Sequence, residues 1–253
     1  RALETNDSIR PLLSPSSASQ RVQLTARGLR MRSSSHQISG LLFAFSRFAR
    51  RPTSPERNLA SVEYVDVVAA ESRRISEVAR RGPLTAPVPH IPGWTMESVV
   101  AHLGGVHRWG ARPVRTRLLE GSHVDGQHTG EALLSWFDEG AQELVDTLLG
   151  VDPKEPCPNF SRGSQETVFW WHRRQAHETT MHRWDVEAAA GDLTPIATEF
   201  ADDGIDELFH TFTRARGKQV LAGPLVVRTT DTGSAWTVVP ADKPGRVDLT
   251  TEE

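Results

Sequence analysis

The side chains best suited to chemistry by type and spacing lie in residues 170–189, in the segment WWHRRQAHETTMHRWDVEAA. Each residue of an α-helix turns the chain by about 100°, so Glu178 and His182 lie about 40° apart on the helical wheel and share one face. A carboxylate and an imidazole on one face suit a metal ion. The same spacing also occurs in exposed pairs that stabilise a helix by only about 0.3 kcal/mol. The pair alone leaves both interpretations open.

A neighbouring histidine, His177, does not join this pair. It lies about 140° from His182 on the wheel, and HETTMH is one residue longer than the HExxH zinc motif, whose two histidines are four residues apart. A zincin-type site is therefore excluded. Arg174 and Asp185 continue the stripe of Glu178 toward the two ends of the segment. Polar groups at such positions orient metal ligands.

Periodic apolar residues and local stop signals predict the helices that must position these groups. The predicted helices span 61–81, then a segment that begins after the N-cap Thr95 and ends or kinks near Pro113, then 131–149, 170–189 and 196–216. After them, the runs LVVRTTD, SAWTVVP and RVDLTT are rich in β-branched residues and predict short strands. The sequence therefore indicates a helical bundle followed by a small strand-containing part.

A further histidine, His102, lies on the second predicted helix beside its apolar stripe of Met96, Val99, Val100, Leu103 and Val106. A core histidine with a hydrogen-bond partner and a third metal ligand are both compatible with this position. Two imidazoles and one carboxylate would leave a fourth position open, as in catalytic zinc sites. The next two residues on this helix are glycines, which cost about 1 kcal/mol each relative to alanine. We therefore expect a neighbouring element to approach closely there.

Other polar residues are assigned no chemistry at this point. His123, Asp125 and His128 belong to a loop, 123–130, and are interpreted as polar turn residues and not as a metal site. Arg173 and Arg183 are interpreted as solvated surface charges. The acids of ADDGIDEL are interpreted as helix-initiating and surface residues.

Composition indicates a globular protein, with a net charge of -3 and 38% hydrophobic residues. The single cysteine, Cys157, rules out an intrachain disulfide and favours a reducing compartment, so we predict a cytoplasmic location. No apolar run approaches the roughly 18 residues that a membrane helix needs. We therefore predict no membrane partner.

Three parts follow from the changes in composition along the chain. Residues 1–58 are predicted to be a disordered basic extension, because the first 60 residues hold ten arginines against three acids and show no sustained period. A transit peptide and a nucleic-acid-binding arm are the alternatives for that extension. Residues 59–221 form the helical bundle. Residues 222–253 form a partial C-terminal α/β domain, which is too short for a core of its own. It either packs on the bundle or is cut short.

Three segments in this order, PGWTMESVVAHLGGVHRW, FWWHRRQAHETTMHRWDVEAA and EFADDGIDEL, resemble the mycothiol-dependent maleylpyruvate isomerase family. The resemblance runs over residues 64–237. It implies a mainly α fold, namely a DinB-like four-helix bundle that holds a divalent metal, followed by the start of a small, truncated α/β domain. The ligands that it implies are His102, Glu178 and His182.

The resemblance also implies a cofactor chemistry and a reaction. Zinc or another divalent metal would bind mycothiol as the thiol cosubstrate, and a zinc-bound thiol is deprotonated to the reactive thiolate. Addition of that thiolate to the double bond of maleylpyruvate, rotation and elimination would give the trans isomer. A mycothiol S-transferase and a non-catalytic metal-binding module are the alternatives on the same bundle. Arg174 is predicted to act in catalysis on a small-molecule substrate, and Asp185 to fix the His182 tautomer. Nucleic acid is not predicted as a partner.

Overall fold

The computed structural model describes residues 23–25, 61–161, 166–213, 224–240 and 247–251. Its helices are α1 (Ser61–Arg81), α2 (Met96–Thr116), α3 (Gly130–Leu149), α4 (Val168–Ala190) and α5 (Thr198–Leu208), the last of which continues into a π-helical turn, Phe209–Thr213. Its strands are β1 (Gln23–Thr25), β2 (Leu225–Arg228), β3 (Ala235–Pro240) and β4 (Val247–Thr251). Apart from β1, the extension predicted to be disordered lies outside the described residues.

Helices α1 to α4 form a four-helix bundle in which α1 packs against α4 and α3, and α2 packs against α3 and α4. The pairs α1 with α2 and α3 with α4 face each other across the bundle with few contacts. The mainly helical fold predicted from the sequence is therefore confirmed. Because α2 and α4 are direct neighbours, histidines on α2 are brought alongside the polar face of α4. Among the described residues, no helix combines the length and apolar character of a membrane span.

The predicted apolar stripe of α2 is confirmed, since all five of its side chains are buried. They pack with Ile75 of α1 and with Leu133 and Phe137 of α3 in one apolar cluster. Each fully buried side chain of this size contributes roughly 1.5–3 kcal/mol to folding. This cluster fixes α2 in the bundle and so fixes the position of His102.

Local signals set the start and the packing of α2. Thr95 and Ser98 form a reciprocal cap, in which the backbone N–H of Ser98 donates to Thr95 Oγ1 at 3.3 Å and that of Thr95 donates to Ser98 Oγ at 3.2 Å. The helix contains Pro113 and continues to Thr116. A Cβ on Gly105 would lie 2.3 Å from the carbonyl oxygen of Val124. The close approach expected from the paired glycines is therefore confirmed.

The strands form one antiparallel sheet with the order β1-β2-β3-β4. Val227, Trp236 and Val238 of this sheet are buried in the same apolar cluster as side chains of α1, α4 and α5. The indole N–H of Trp236 donates to Asp206 Oδ1 of α5 at 3.0 Å. The described strands therefore pack on the helices.

Candidate metal centre

Three of the residues singled out from the sequence meet between α2 and α4. The donor atoms of His102, Glu178 and His182 all lie within 4.8 Å of one another. Glu178 Oε1 is 3.2 Å from His182 Nε2 and 3.9 Å from His102 Nε2. A tetrahedral zinc ion with bonds of about 2.1 Å places neighbouring donor atoms about 3.4 Å apart. The type and spacing of these donors therefore fit such an ion, and the assignment of metal ligands remains a prediction.

Partial burial shields this donor set while leaving it within reach of solvent. The side chains of His102 and His182 are each 13% exposed, and that of Glu178 is 22% exposed. The ring of Trp94, from the loop before α2, lies parallel to His182 at 6.5 Å and edge-on to His102 at 5.2 Å. Trp94 therefore forms one wall of the site. No periodic signal in the proline-rich loop pointed to it.

Asp185 controls the orientation of His182. Its Oδ2 accepts a hydrogen bond from His182 Nδ1 at 2.9 Å, and its Oδ1 accepts one from His90 Nε2 at 2.7 Å. With Nδ1 bound to Asp185, the other ring nitrogen of His182, Nε2, faces Glu178 Oε1 at 3.2 Å. The contact expected between Asp185 and His182 is therefore present. The role of His90 was missed because it lies in a loop, where helical spacing carries no information.

Arg174 is bound to two carboxylates of the protein. Its guanidinium forms an ion pair with Glu178 Oε2 and another with Glu207 Oε2, the latter at 2.6 Å. Arg174 is 6% exposed and Glu207 is 2% exposed. The interpretation of Glu207 as a surface acid is therefore wrong, because α5 covers this part of α4. A catalytic role for Arg174 stays a prediction, while the contact with Glu178 leaves Oε1 facing the imidazoles.

The charged side chains of the site stabilise one another's ionised forms. Burial raises the pKa of the Glu178 carboxyl, but Arg174 and the two facing imidazoles outweigh it and hold that pKa well below its usual value. Burial lowers the pKa of His182, but hydrogen bonds to Asp185 and Glu178 outweigh burial and raise that pKa to about 10. A metal ligand must be deprotonated. A metal ion would therefore take the place of a proton on His182.

Two other arginines of α4 are not surface charges. Arg183 is 3% exposed, and its guanidinium pairs with Glu71 at 2.6 Å and with Glu187 at 2.8 Å. Arg173 has a side chain that is 20% exposed and pairs with Asp203 of α5 at 2.9 Å. The interpretation of both as solvated is therefore wrong. Their partners lie on α1 and α5, the helices that flank α4, and on α4 itself.

The loop between α2 and α3 lies against the site. Asp125 Oδ1 is 3.3 Å from His102 Nδ1, and the His123 ring centroid is 4.6 Å from that of His102. From the sequence alone, these loop residues were interpreted only as polar turn residues. The signal that could have placed them is Gly105, whose missing side chain makes room for the loop.

Comparison with known proteins agrees with this architecture. Fold and geometry together define a DinB-like helical domain with a candidate His/Glu metal centre. Residues 65–187 match the family model of the mycothiol maleylpyruvate isomerase N-terminal domain, and the chain therefore carries a domain of that family. The range runs from α1 into α4 and includes the whole donor set. The resemblance stated from the sequence is thus confirmed for residues 65–187, which hold the first segment and all but the last two residues of the second. Searches of curated proteins and of solved structures each gave no significant match.

Proposed function

We propose that the chain is a metal-dependent enzyme of the maleylpyruvate isomerase type, which uses mycothiol as cosubstrate for cis–trans isomerisation of a small unsaturated acid. The observation that carries the proposal is the meeting of His102, Glu178 and His182 between neighbouring helices of a domain of this family. The metal proposed is Zn²⁺ or another divalent ion, because two imidazoles and one carboxylate form a catalytic type of zinc set.

Within this proposal, His102 Nε2, Glu178 Oε1 and His182 Nε2 would hold the ion. When bound, zinc would supply the acidity that turns a thiol into the nucleophilic thiolate near neutral pH. Trp94 limits the access of water from one side. The chain thereby offers a partly shielded position next to the imidazoles.

The neighbouring charges keep the three donors in place. Asp185 holds the Nδ1 proton of His182 and so keeps Nε2 directed at Glu178. Arg174 holds the second oxygen of Glu178 and is itself neutralised by Glu207. We therefore assign Arg174 a positioning role in the proposed site, because both sides of its guanidinium are engaged by protein carboxylates.

The first test is the metal content of the purified full chain. Under this proposal, His102→Ala, Glu178→Ala and His182→Ala each lose most of the zinc that the wild-type protein retains. His128→Ala is the matched control, because His128 is an exposed histidine of the neighbouring loop outside the donor set. Equal zinc content in all variants would exclude the proposed centre.

The second test separates the alternatives for activity. The zinc-loaded protein is incubated with mycothiol and maleylpyruvate, and separately with mycothiol and a bimane electrophile. Formation of fumarylpyruvate without net loss of thiol supports the isomerase. Consumption of thiol with the electrophile alone would point to the S-transferase instead. Bound zinc with neither reaction would leave a non-catalytic metal-binding module and overturn the proposed activity.

A further inference from the structure

The loop that joins α2 to α3 is held against α2 by its backbone. The N–H of Gly126 donates to the carbonyl oxygen of Ala101 at 2.9 Å. The carbonyl oxygen of Val124 fills the space that a side chain on Gly105 would need, and Trp136 lies over Gly126. The two residues on either side of Val124 are therefore fixed beside α2 by contacts that do not involve their own side chains.

Those residues are His123 and Asp125, and with His102 they form a second set of metal donors. Asp125 Oδ1 is 3.3 Å from His102 Nδ1 and 3.7 Å from His123 Nε2. These distances bracket the separation of about 3.4 Å between donor atoms around a tetrahedral zinc ion. The side chain of Asp125 is 54% exposed and that of His123 is 37% exposed. This set is more exposed to solvent than the donor set between the helices.

We propose that His102 Nδ1, His123 Nε2 and Asp125 Oδ1 form an outer site for a divalent transition metal such as Zn²⁺. The outer site is distinct from the inner set because it uses the opposite nitrogen of the same ring. His102 Nε2 faces Glu178 at 3.9 Å, whereas Nδ1 faces Asp125 at 3.3 Å. A neutral imidazole has one nitrogen with a free lone pair and one that carries a proton.

Because both sites use the His102 ring, this ring can bind an ion in only one of the two sites at a time. With an ion on Nε2, the proton sits on Nδ1 and faces Asp125; with an ion on Nδ1, the proton sits on Nε2 and faces Glu178. Because His123 and Asp125 are more exposed to competing water than Glu178 and His182, we expect the outer site to bind an ion more weakly than the inner set. The two sites compete for His102. Its existence does not require the inner set to hold a metal, so the two proposals can fail separately.

The test is Zn²⁺ titration, by isothermal titration calorimetry, of the full chain after treatment with a chelator. The background variant Glu178→Gln/His182→Ala removes the inner set. We expect this background to bind zinc more weakly than the wild type. Adding His123→Ala or Asp125→Ala should weaken the remaining binding by at least about tenfold, since even groups that only support a metal ligand cost that much. Adding His128→Ala, the control, should change nothing.

Two results would overturn the outer site: a background variant that binds no zinc, or loop variants that bind zinc as the background does. If the double variant does not fold, Glu178→Gln alone serves as the background, because the substitution keeps the size of the side chain. Failure of the proposed inner centre looks different. In that case the wild type and the background bind zinc equally, and the loop variants still lose it.

Discussion

The imidazole of His182 is set by the carboxylate behind it. Asp185 bonds to His182 Nδ1 at 2.9 Å and to His90 at 2.7 Å, so its two oxygens join α4 to the loop before α2. Burial raises the pKa of Asp185, but hydrogen bonds to the two histidines outweigh it and lower that pKa. An ionised Asp185 keeps the proton on His182 Nδ1. The ring therefore presents Nε2 to the centre of the site.

Substitution of Asp185 should weaken metal binding without removing a ligand. We expect Asp185→Ala to lower zinc affinity by about 10–100-fold, because His182 loses the partner that fixes its tautomer and ring angle. Competition with a chromophoric zinc chelator measures the affinity. Asp146→Asn, an exposed acid on α3, is the control and should bind zinc like the wild type. An unchanged affinity in Asp185→Ala would show that the contact does not orient the ligand.

The raised pKa of His182 gives zinc binding a pH dependence. Without metal this pKa is about 10, so the imidazole is protonated near neutral pH and must lose a proton when it binds zinc. At pH values below that pKa, an increase in pH therefore favours zinc binding. Release of one proton per ion corresponds to about tenfold higher affinity per pH unit between about pH 7 and 8. Titrations in two buffers of different ionisation enthalpy count the protons, and a count near zero would contradict this pKa.

Helix α4 has charged residues on several faces because its neighbours supply partners for each face. Arg183 lies between Glu71 of α1 and Glu187 of α4 itself. Arg173 faces Asp203 of α5, and Arg174 faces the candidate metal centre. A buried charge is tolerated only when it is paired and hydrogen-bonded. The packing of α1 and α5 on α4 therefore depends on these ion pairs as well as on apolar contacts.

The ion pair of Arg183 can be tested through stability. Arg183→Ala leaves Glu71 without this partner and leaves buried Glu187 with fewer donors, so we expect a loss of about 3 kcal/mol in the free energy of unfolding. Urea denaturation followed by circular dichroism gives this quantity. Arg73→Ala, on the exposed side of α1, should stay within about 0.5 kcal/mol of the wild type. A loss in Arg183→Ala no larger than in this control would mean that the pair contributes nothing.

The helices were predictable because their signals are local. The apolar period of α1 and the Thr95 cap of α2 operate within a few residues, and the structure has both where the sequence placed them. The pairing of Glu178 with His182 follows from helical geometry in the same way. The partners of Arg183 and the place of Asp125 depend on which elements become neighbours. Spacing along the chain does not contain that information.

At the scale of the molecule, the sheet and the bundle share one apolar cluster. Trp236 of β3 is 3% exposed, lies in that cluster with Trp171 of α4 and Phe209, and bonds to Asp206 of α5. Helix α5 is in turn joined to α4 through the ion pairs of Arg173. The described contacts therefore connect the sheet to α4, which carries part of the candidate centre, through α5. We expect the described strands and helices to unfold together.

Replacement of Trp236 tests that coupling. Trp236→Ala should destabilise the whole unit by about 3–5 kcal/mol, the usual cost of removing a large buried aromatic side chain. If sheet and bundle form one cooperative unit, the loss appears equally in the helical circular dichroism of α1 to α4 and in tryptophan fluorescence, with coincident transitions. Trp236→Phe keeps most of the apolar volume but loses the hydrogen bond to Asp206, so it should cost only about 1–2 kcal/mol. A helical transition that stays at its wild-type midpoint in Trp236→Ala would show that the bundle folds independently of the sheet. Zinc retention in the same variant would then show that the donor set between α2 and α4 does not depend on the strands.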